Sequence, residues 1–207
     1  MNPTTIIINE DHWIAGVQRA PIATSREMPV RRCVVNHFTG GATGASSIEA
    51  MRQRGVSAHV VIDRDGTITQ CVPFNRSAAH AGTSRWRDPK TGTLYTFGNT
   101  FAIGIEIANA GSDPGALTWA RKQPGFASIR ARHANGGAVL EWECFPAAQI
   151  EAVTALNEAL VQRYNLDDVT GHDCIAPERK DDPGPAFPMQ AIREACGFSG
   201  LPVVHRP

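Results

Sequence analysis

No long apolar run, no excess of either charge sign and no paired-cysteine motif occurs in this 207-residue chain. A membrane helix needs roughly 18 or more consecutive apolar residues, and no stretch approaches that, so no integral membrane segment is expected. Twenty basic residues offset twenty acidic ones. That balance removes the broad field that draws a protein to nucleic acid or an anionic membrane, and small neutral or mixed-charge partners fit better. The five cysteines at 33, 71, 144, 174 and 196 are odd in number and include no CxxC pair. They read as free thiols, with neither a four-cysteine zinc site nor a disulfide framework expected. The start, MNPTTIIINEDHW, has neither a basic region nor an adequate apolar core for export, so the chain is expected in the cytoplasm. Its length suits a single domain, 1–207, built on one buried core.

What is present begins with Cys33-Val34-Val35-Asn36-His37, a short apolar segment running into Thr39-Gly40-Gly41. It reads as a buried strand that ends at a histidine. Ser46-Ser47-Ile48-Glu49 matches a capping box, which predicts a helix to about Arg54, closed by Gly55. Asp65-Gly66 between two apolar runs, 58–64 and 67–72, is a two-residue hairpin signal. The segment 102–108 alternates strictly, with three isoleucines on one face and Ala102, Gly104, Glu106 and Ala108 on the other. The isoleucines are expected to face the core, leaving Glu106 as a lone carboxylate among small side chains with open space above it. Helical spacing of Ile150, Val153, Leu156, Leu160 and Tyr164 predicts a long helix over 147–164 covering the isoleucine face. A short helix is expected at about 188–196, followed by a loose tail. Between Gly111 and Phe145 no sustained period appears, and the segment at about 111–145 reads as an insertion or lid.

Gly171 to Phe187 concentrates the chemistry. His172 and Asp182 are donors suited to a divalent metal such as zinc, and Lys180 stands two residues before the aspartate. Prolines at 177, 183 and 185 together with Gly184 predict an ordered loop rather than a helix or central strand. Cys174 reads as a small, half-buried loop residue. A catalytic zinc commonly takes three protein ligands and keeps one open position, so a third donor must come from elsewhere. His37, at a strand end, is the best-placed histidine. His80, flanked by Ala78-Ala79 and Ala81-Gly82, competes with it and is expected at the rim of the site. His12, His59, His133 and His205 lie in less suitable segments.

Four blocks, VVNHFTGG, SAHVVIDRDGTITQCVPFNRSAAHAG, AIGIEIANAG and GHDCIAPERKDDPGPAF, occur in an order that resembles the zinc-dependent N-acetylmuramoyl-L-alanine amidases sharing the peptidoglycan recognition protein fold. The resemblance implies an α/β domain with a mixed central sheet flanked by helices and a groove holding one zinc ion. It puts the metal ligands on His37, His172 and Asp182, and the catalytic side chains on Glu106 and Lys180. Some members carry a tyrosine where Ala58 precedes His59, and this difference points to the subgroup relying on the glutamate. Others ligate through cysteine where this chain has Asp182. The implied substrate is peptidoglycan or a muropeptide, cut at the amide between N-acetylmuramic acid and L-alanine.

The wall-lytic, endolysin-like version of that activity stands beside a cytoplasmic version that recycles anhydro-muropeptides. A zinc peptidase cutting within the stem peptide would use the same metal chemistry. The alternative of another class is a non-catalytic peptidoglycan-binding or regulatory protein. Substrate contacts are expected from His80, from Arg85 and Trp86 in the loop after it, and from Asn109, because an aromatic face suits a sugar and guanidinium suits a carboxylate. The competing expectation is that Trp86 packs its loop onto the domain and that Asn109 caps a turn.

Overall fold

The alternating isoleucines form the central strand of a six-stranded sheet. The computed structural model describes residues 5–24 and 26–206; residues 1–4, at the start read above for export, 25, and the final tail residue 207 lie outside the described residues. In chain order the elements are β1 (Gln18–Arg19), β2 (Cys33–Phe38), α1 (Gly44–Arg54), β3 (Val60–Ile62), β4 (Ile68–Gln70), β5 (Thr83–Arg87), β6 (Leu94–Phe97) and β7 (Ala102–Ile107). There follow α2 (Pro114–Ala120), β8 (Ser128–His133), β9 (Gly136–Glu143), α3 (Ala147–Tyr164), β10 (Asp168–Gly171), α4 (His172–Ile175) and α5 (Met189–Ala195).

The sheet order is β1-β4-β3-β7-β2-β10. Strands β3, β7, β2 and β10 run parallel, while β4 pairs with β3 antiparallel through the Asp65-Gly66 turn. The expected mixed sheet is therefore observed. Ile103, Ile105 and Ile107 are fully buried and pack with Val153, Leu156 and Leu160 of α3. Burial of each isoleucine contributes about 1.5–3 kcal/mol. Period-2 alternation then sends Gly104 and Glu106 to the opposite face, where no long helix covers them.

Local differences from expectation have local causes. Helix α1 starts at Gly44, before the expected box, because Thr43 is its N-cap: Thr43 Oγ1 accepts from Ser46 N–H at 3.1 Å, and Thr43 N–H donates to Ser46 Oγ at 3.2 Å. Gly55 closes it in the left-handed conformation at φ 66°. Gly66 is required by space as well as by its φ of 85°, since a Cβ there would lie 2.7 Å from Ala148 O at the start of α3. The segment 111–145 is not irregular. Asp113 caps α2, and β8 and β9 form a hairpin. That hairpin is exposed along most of both strands, so no buried face imposes an alternating pattern on its sequence.

The metal-bearing segment also differs from the expected loop. Gly171 ends the edge strand β10, and residues 172–175 make one helical turn before the loop begins. Cys174 is buried rather than half-buried. The tail is tied down in part: His205 N–H donates to Cys174 O at 2.8 Å, Arg193 Nε donates to Gly200 O at 2.8 Å, and Pro202 is buried. The cysteines are free thiols. Among the described residues no helix is long and apolar enough to cross a membrane.

Candidate functional site

Parallel register assembles the site. His37 of β2 pairs with Glu106 of β7, and Gly171 of β10 pairs with Asn36 of β2, so His172 emerges beside His37. Their ring centroids are 4.5 Å apart. The following loop returns on itself, Asp173 N–H donating to Asp182 O at 2.8 Å. Asp182 Oδ2 is thereby 2.7 Å from His37 Nδ1 and 3.2 Å from His172 Nδ1, with all three residues buried. These three side chains form a group able to hold a metal ion.

The outer hydrogen bonds determine which ring atoms are available. His80 Nε2 lies 3.1 Å from Ala102 O. A carbonyl only accepts, so this nitrogen carries the proton and His80 Nδ1 is an acceptor. His37 Nε2, 2.9 Å from that acceptor, is therefore the protonated nitrogen of its own ring, and its Nδ1 is left as a lone pair. His172 Nε2 likewise donates to Ala81 O at 3.2 Å. The Arg179 guanidinium nitrogen near it spends its two hydrogens on the Ala81 and Thr83 carbonyls. With the opposite ring nitrogens engaged by His80 and Ala81, two imidazole Nδ1 atoms and a carboxylate oxygen face one another, an arrangement that a divalent cation satisfies. Burial, and then the neighbouring His172, lower the His37 pKa to about 4. Burial, and then His37, hold His80 well below its usual range. The His37 ring is therefore neutral at physiological pH, as metal ligation requires.

Glu106 stands beside this group in a cavity of about 650 Å³ whose walls include Thr39, Ser46, His80, Arg179 and Lys180. Its carboxylate has no hydrogen-bond partner among the described residues. Burial, then the charge of Asp182, raise its pKa to about 8, with Lys180 opposing. A carboxylate of this kind can take and return a proton near neutral pH.

Not every expected contact reaches the cavity. Trp86 is fully buried against Phe101 and Tyr95, and its Nε1 donates to Asp168 Oδ2 at 3.0 Å. Its ring therefore packs the loop onto the core and has no free face for a sugar. Asn109 is also buried; it accepts from Gly111 N–H at 2.8 Å and donates to Glu143 O at 3.4 Å, so it caps the turn after β7. Arg85 is half-buried away from the cavity lining. His80 does line the cavity, but it sits directly behind His37 rather than at the rim. Asn99 and Arg179 were not anticipated, because their contacts lie with residues 17 to 98 positions away.

His59 supplies an acid-sensitive element apart from the metal ligands. It is fully buried; Nε2 donates to Arg76 O at 2.9 Å, and Nδ1 accepts from Gly104 N–H at 3.0 Å. Burial lowers its pKa from 6.5 to about 4. Between these values the unfolded chain binds the extra proton, so this contribution to stability is complete above about pH 6.5 and is lost as pH falls toward 4. The full loss is about 3 kcal/mol. Urea unfolding of wild type at pH 7.5 and 5 should show a fall to which the buried His37 and His80 also contribute, and His59→Asn should make it smaller by the share of His59.

With this geometry in place, comparison with known proteins gives the class. The N-acetylmuramoyl-L-alanine amidase family pattern matches residues 26–185, and the chain belongs to that family. It is 36% identical over 140 residues to the 1,6-anhydro-N-acetylmuramyl-L-alanine amidase AmpD of Citrobacter freundii, covering 67% of this chain and 56% of that protein. It is 31% identical over 187 residues to the N-acetylmuramoyl-L-alanine amidase AmiD of Escherichia coli K12, covering 86% of this chain and 57% of that protein. The chain therefore spans about half the length of the curated relatives it matches. A structure of Escherichia coli AmiD with the substrate anhydro-N-acetylmuramic acid-L-Ala-D-gamma-Glu-L-Lys superposes with a TM-score of 0.61 at 28% identity, covering 94% of this chain and 66% of that one. The fold is the peptidoglycan recognition protein-like amidase fold that the sequence blocks implied.

Proposed function

We propose that this chain is a zinc-dependent amidase that hydrolyses the bond between N-acetylmuramic acid and L-alanine, with soluble anhydro-muropeptides as its preferred substrates. The observation that carries the reading is the convergence of His37 Nδ1, His172 Nδ1 and Asp182 Oδ2 beside a carboxylate that has no hydrogen-bond partner among the described residues. Two imidazoles and one carboxylate suit zinc, with one ion per chain. Zinc held by these ligands supplies the means to activate water at neutral pH and to polarise the scissile carbonyl.

The remaining roles fall to the chain's own groups. Glu106 takes the proton of the attacking water and returns it to the departing α-amine of L-alanine. Lys180, on the cavity wall, places a cation where the carbonyl oxygen gains negative charge. The segment 111–145 is read as a brace rather than a moving lid. His133 Nε2 pairs with Asp173 Oδ2 at 3.1 Å, Asn135 Nδ2 donates to Asp173 O at 2.8 Å, and Trp142 packs so closely on Gly184 that a Cβ there would lie 2.8 Å from the ring. Each contact supports the loop that presents His172 and Asp182.

The preference for soluble substrate rests on the relatives, whose names and bound substrate carry the anhydro-sugar. Intact wall is the second substrate consistent with the same site. The test is parallel digestion of intact sacculi and a soluble anhydro-muropeptide, with products identified by mass. Release of the lactyl-bearing sugar and a peptide beginning with L-alanine is expected, faster from the soluble substrate. Cleavage within the stem peptide would overturn the bond assignment, and faster release from sacculi would overturn the preference.

A further inference from the structure

We infer that the segment 79–83, the loop entering β5 and organised by Asn99, is the positioning shell of the metal centre, and that His80 is a positioning residue rather than a substrate contact. The inference rests on the metal reading proposed above. It concerns how this chain presents its two histidine donors.

Both outer acceptors that orient the donors belong to this one loop. His80 Nδ1 accepts the Nε2 proton of His37 at 2.9 Å, and the next residue's carbonyl, Ala81 O, accepts that of His172 at 3.2 Å. A displacement of the loop would release both rings together. Asn99 Oδ1 prevents this by accepting three successive backbone N–H groups, from His80 at 3.1 Å, Ala81 at 2.8 Å and Gly82 at 2.9 Å. From the metal-bearing side, the Arg179 guanidinium donates to the Ala81 and Thr83 carbonyls. Ala81 O thus receives His172 and Arg179 at once.

Two glycines make the close packing possible. The His80 ring lies over Gly104, where a Cβ would come within 2.4 Å of Cγ. Ala81 lies over Gly98, where a Cβ would come within 2.5 Å of the alanine Cβ. Gly98 N–H also donates to Gly82 O at 2.9 Å. His80 is consequently held between the strand floor and His37, with both ring nitrogens engaged inside the protein. Neither is left to contact a substrate.

The experiment measures zinc affinity directly, by competition with a chromophoric chelator, for wild type, Asn99→Ala, Asn99→Asp and His80→Ala. Loss of an outer partner typically weakens metal binding by roughly 10- to 100-fold, and both alanine variants should fall in that range. Asn99→Asp keeps the accepting oxygen and should stay within about threefold of wild type. Histidine ¹H–¹⁵N spectra of the metal-free proteins should show Nε2-protonated rings for His37 and His172 in wild type and mixed tautomers in Asn99→Ala. Circular dichroism checks folding. Should Asn99→Ala fail to fold, Gly104→Ala displaces His80 by another route and should show the same loss. Wild type that binds zinc tightly while the folded alanine variants bind it equally well would overturn the positioning role alone. Wild type that binds no zinc would overturn the metal reading, and this inference with it.

Discussion

Glu106→Gln is expected to lower kcat by roughly 10²- to 10⁴-fold while zinc binding is retained, because the substitution removes a proton acceptor but no metal ligand. Glutamine preserves size on the small-residue face of β7, where Gly104 precedes it and His37 is its register partner. The pH profile adds a second readout. Burial and the charge of Asp182 raise the glutamate to about 8, so only its ionised form at higher pH can accept a proton. Activity should therefore rise with pH through this ionisation. A bound divalent cation favours the ionised form, and the midpoint of the limb in the zinc-loaded protein is expected below about 8. Steady-state kinetics and metal content on the same preparations check both statements. A glutamine variant with wild-type kcat would remove Glu106 from the proton transfer.

Asp182→Ala is expected to lose both metal and activity. The carboxylate stands between His37 and His172, at 2.7 Å and 3.2 Å from their Nδ1 atoms. Without it two neutral imidazoles remain, short of the three ligands a catalytic zinc commonly takes. The loss of affinity should exceed the roughly 100-fold upper range typical of an outer partner. Zinc retained after dialysis against a chelator is the direct measurement. Asp182→Cys should recover part of the binding, since thiolate is also a zinc ligand. Together the two positions separate ligation from proton transfer: the glutamate variant keeps zinc and loses turnover, while the aspartate variant loses both. An Asp182→Ala protein with wild-type zinc content would place the metal elsewhere.

Much of the frame was legible because it follows short-range rules. Strict alternation over 102–108 assigned the isoleucines to the core and Glu106 to the open face, as the packing of Ile103, Ile105 and Ile107 on α3 requires. Helical spacing gave α3 within its observed limits, and Asp65-Gly66 gave the turn between β3 and β4. The hairpin of β8 and β9 escaped because neither of its faces is buried for most of its length. Trp86 and Asn109 were ambiguous for a different reason. An indole can stack on a sugar or fill a core, and an amide can line a groove or cap a turn; local sequence does not decide between these uses. Burial decided both.

The sequence by itself determined the chemical inventory: two imidazoles, two carboxylates and an ammonium group in an order that resembled a zinc amidase family. It also determined which strand face would carry Glu106, since that depends only on the two-residue period of the backbone. The tertiary structure alone decided which imidazole nitrogens face the aspartate. Tautomer choice depends on the partner of the opposite nitrogen, and those partners, His80 Nδ1 and Ala81 O, lie 43 and 91 residues from the rings they orient. Only folding brings that loop against both histidines and so turns a set of donors into a directed metal centre.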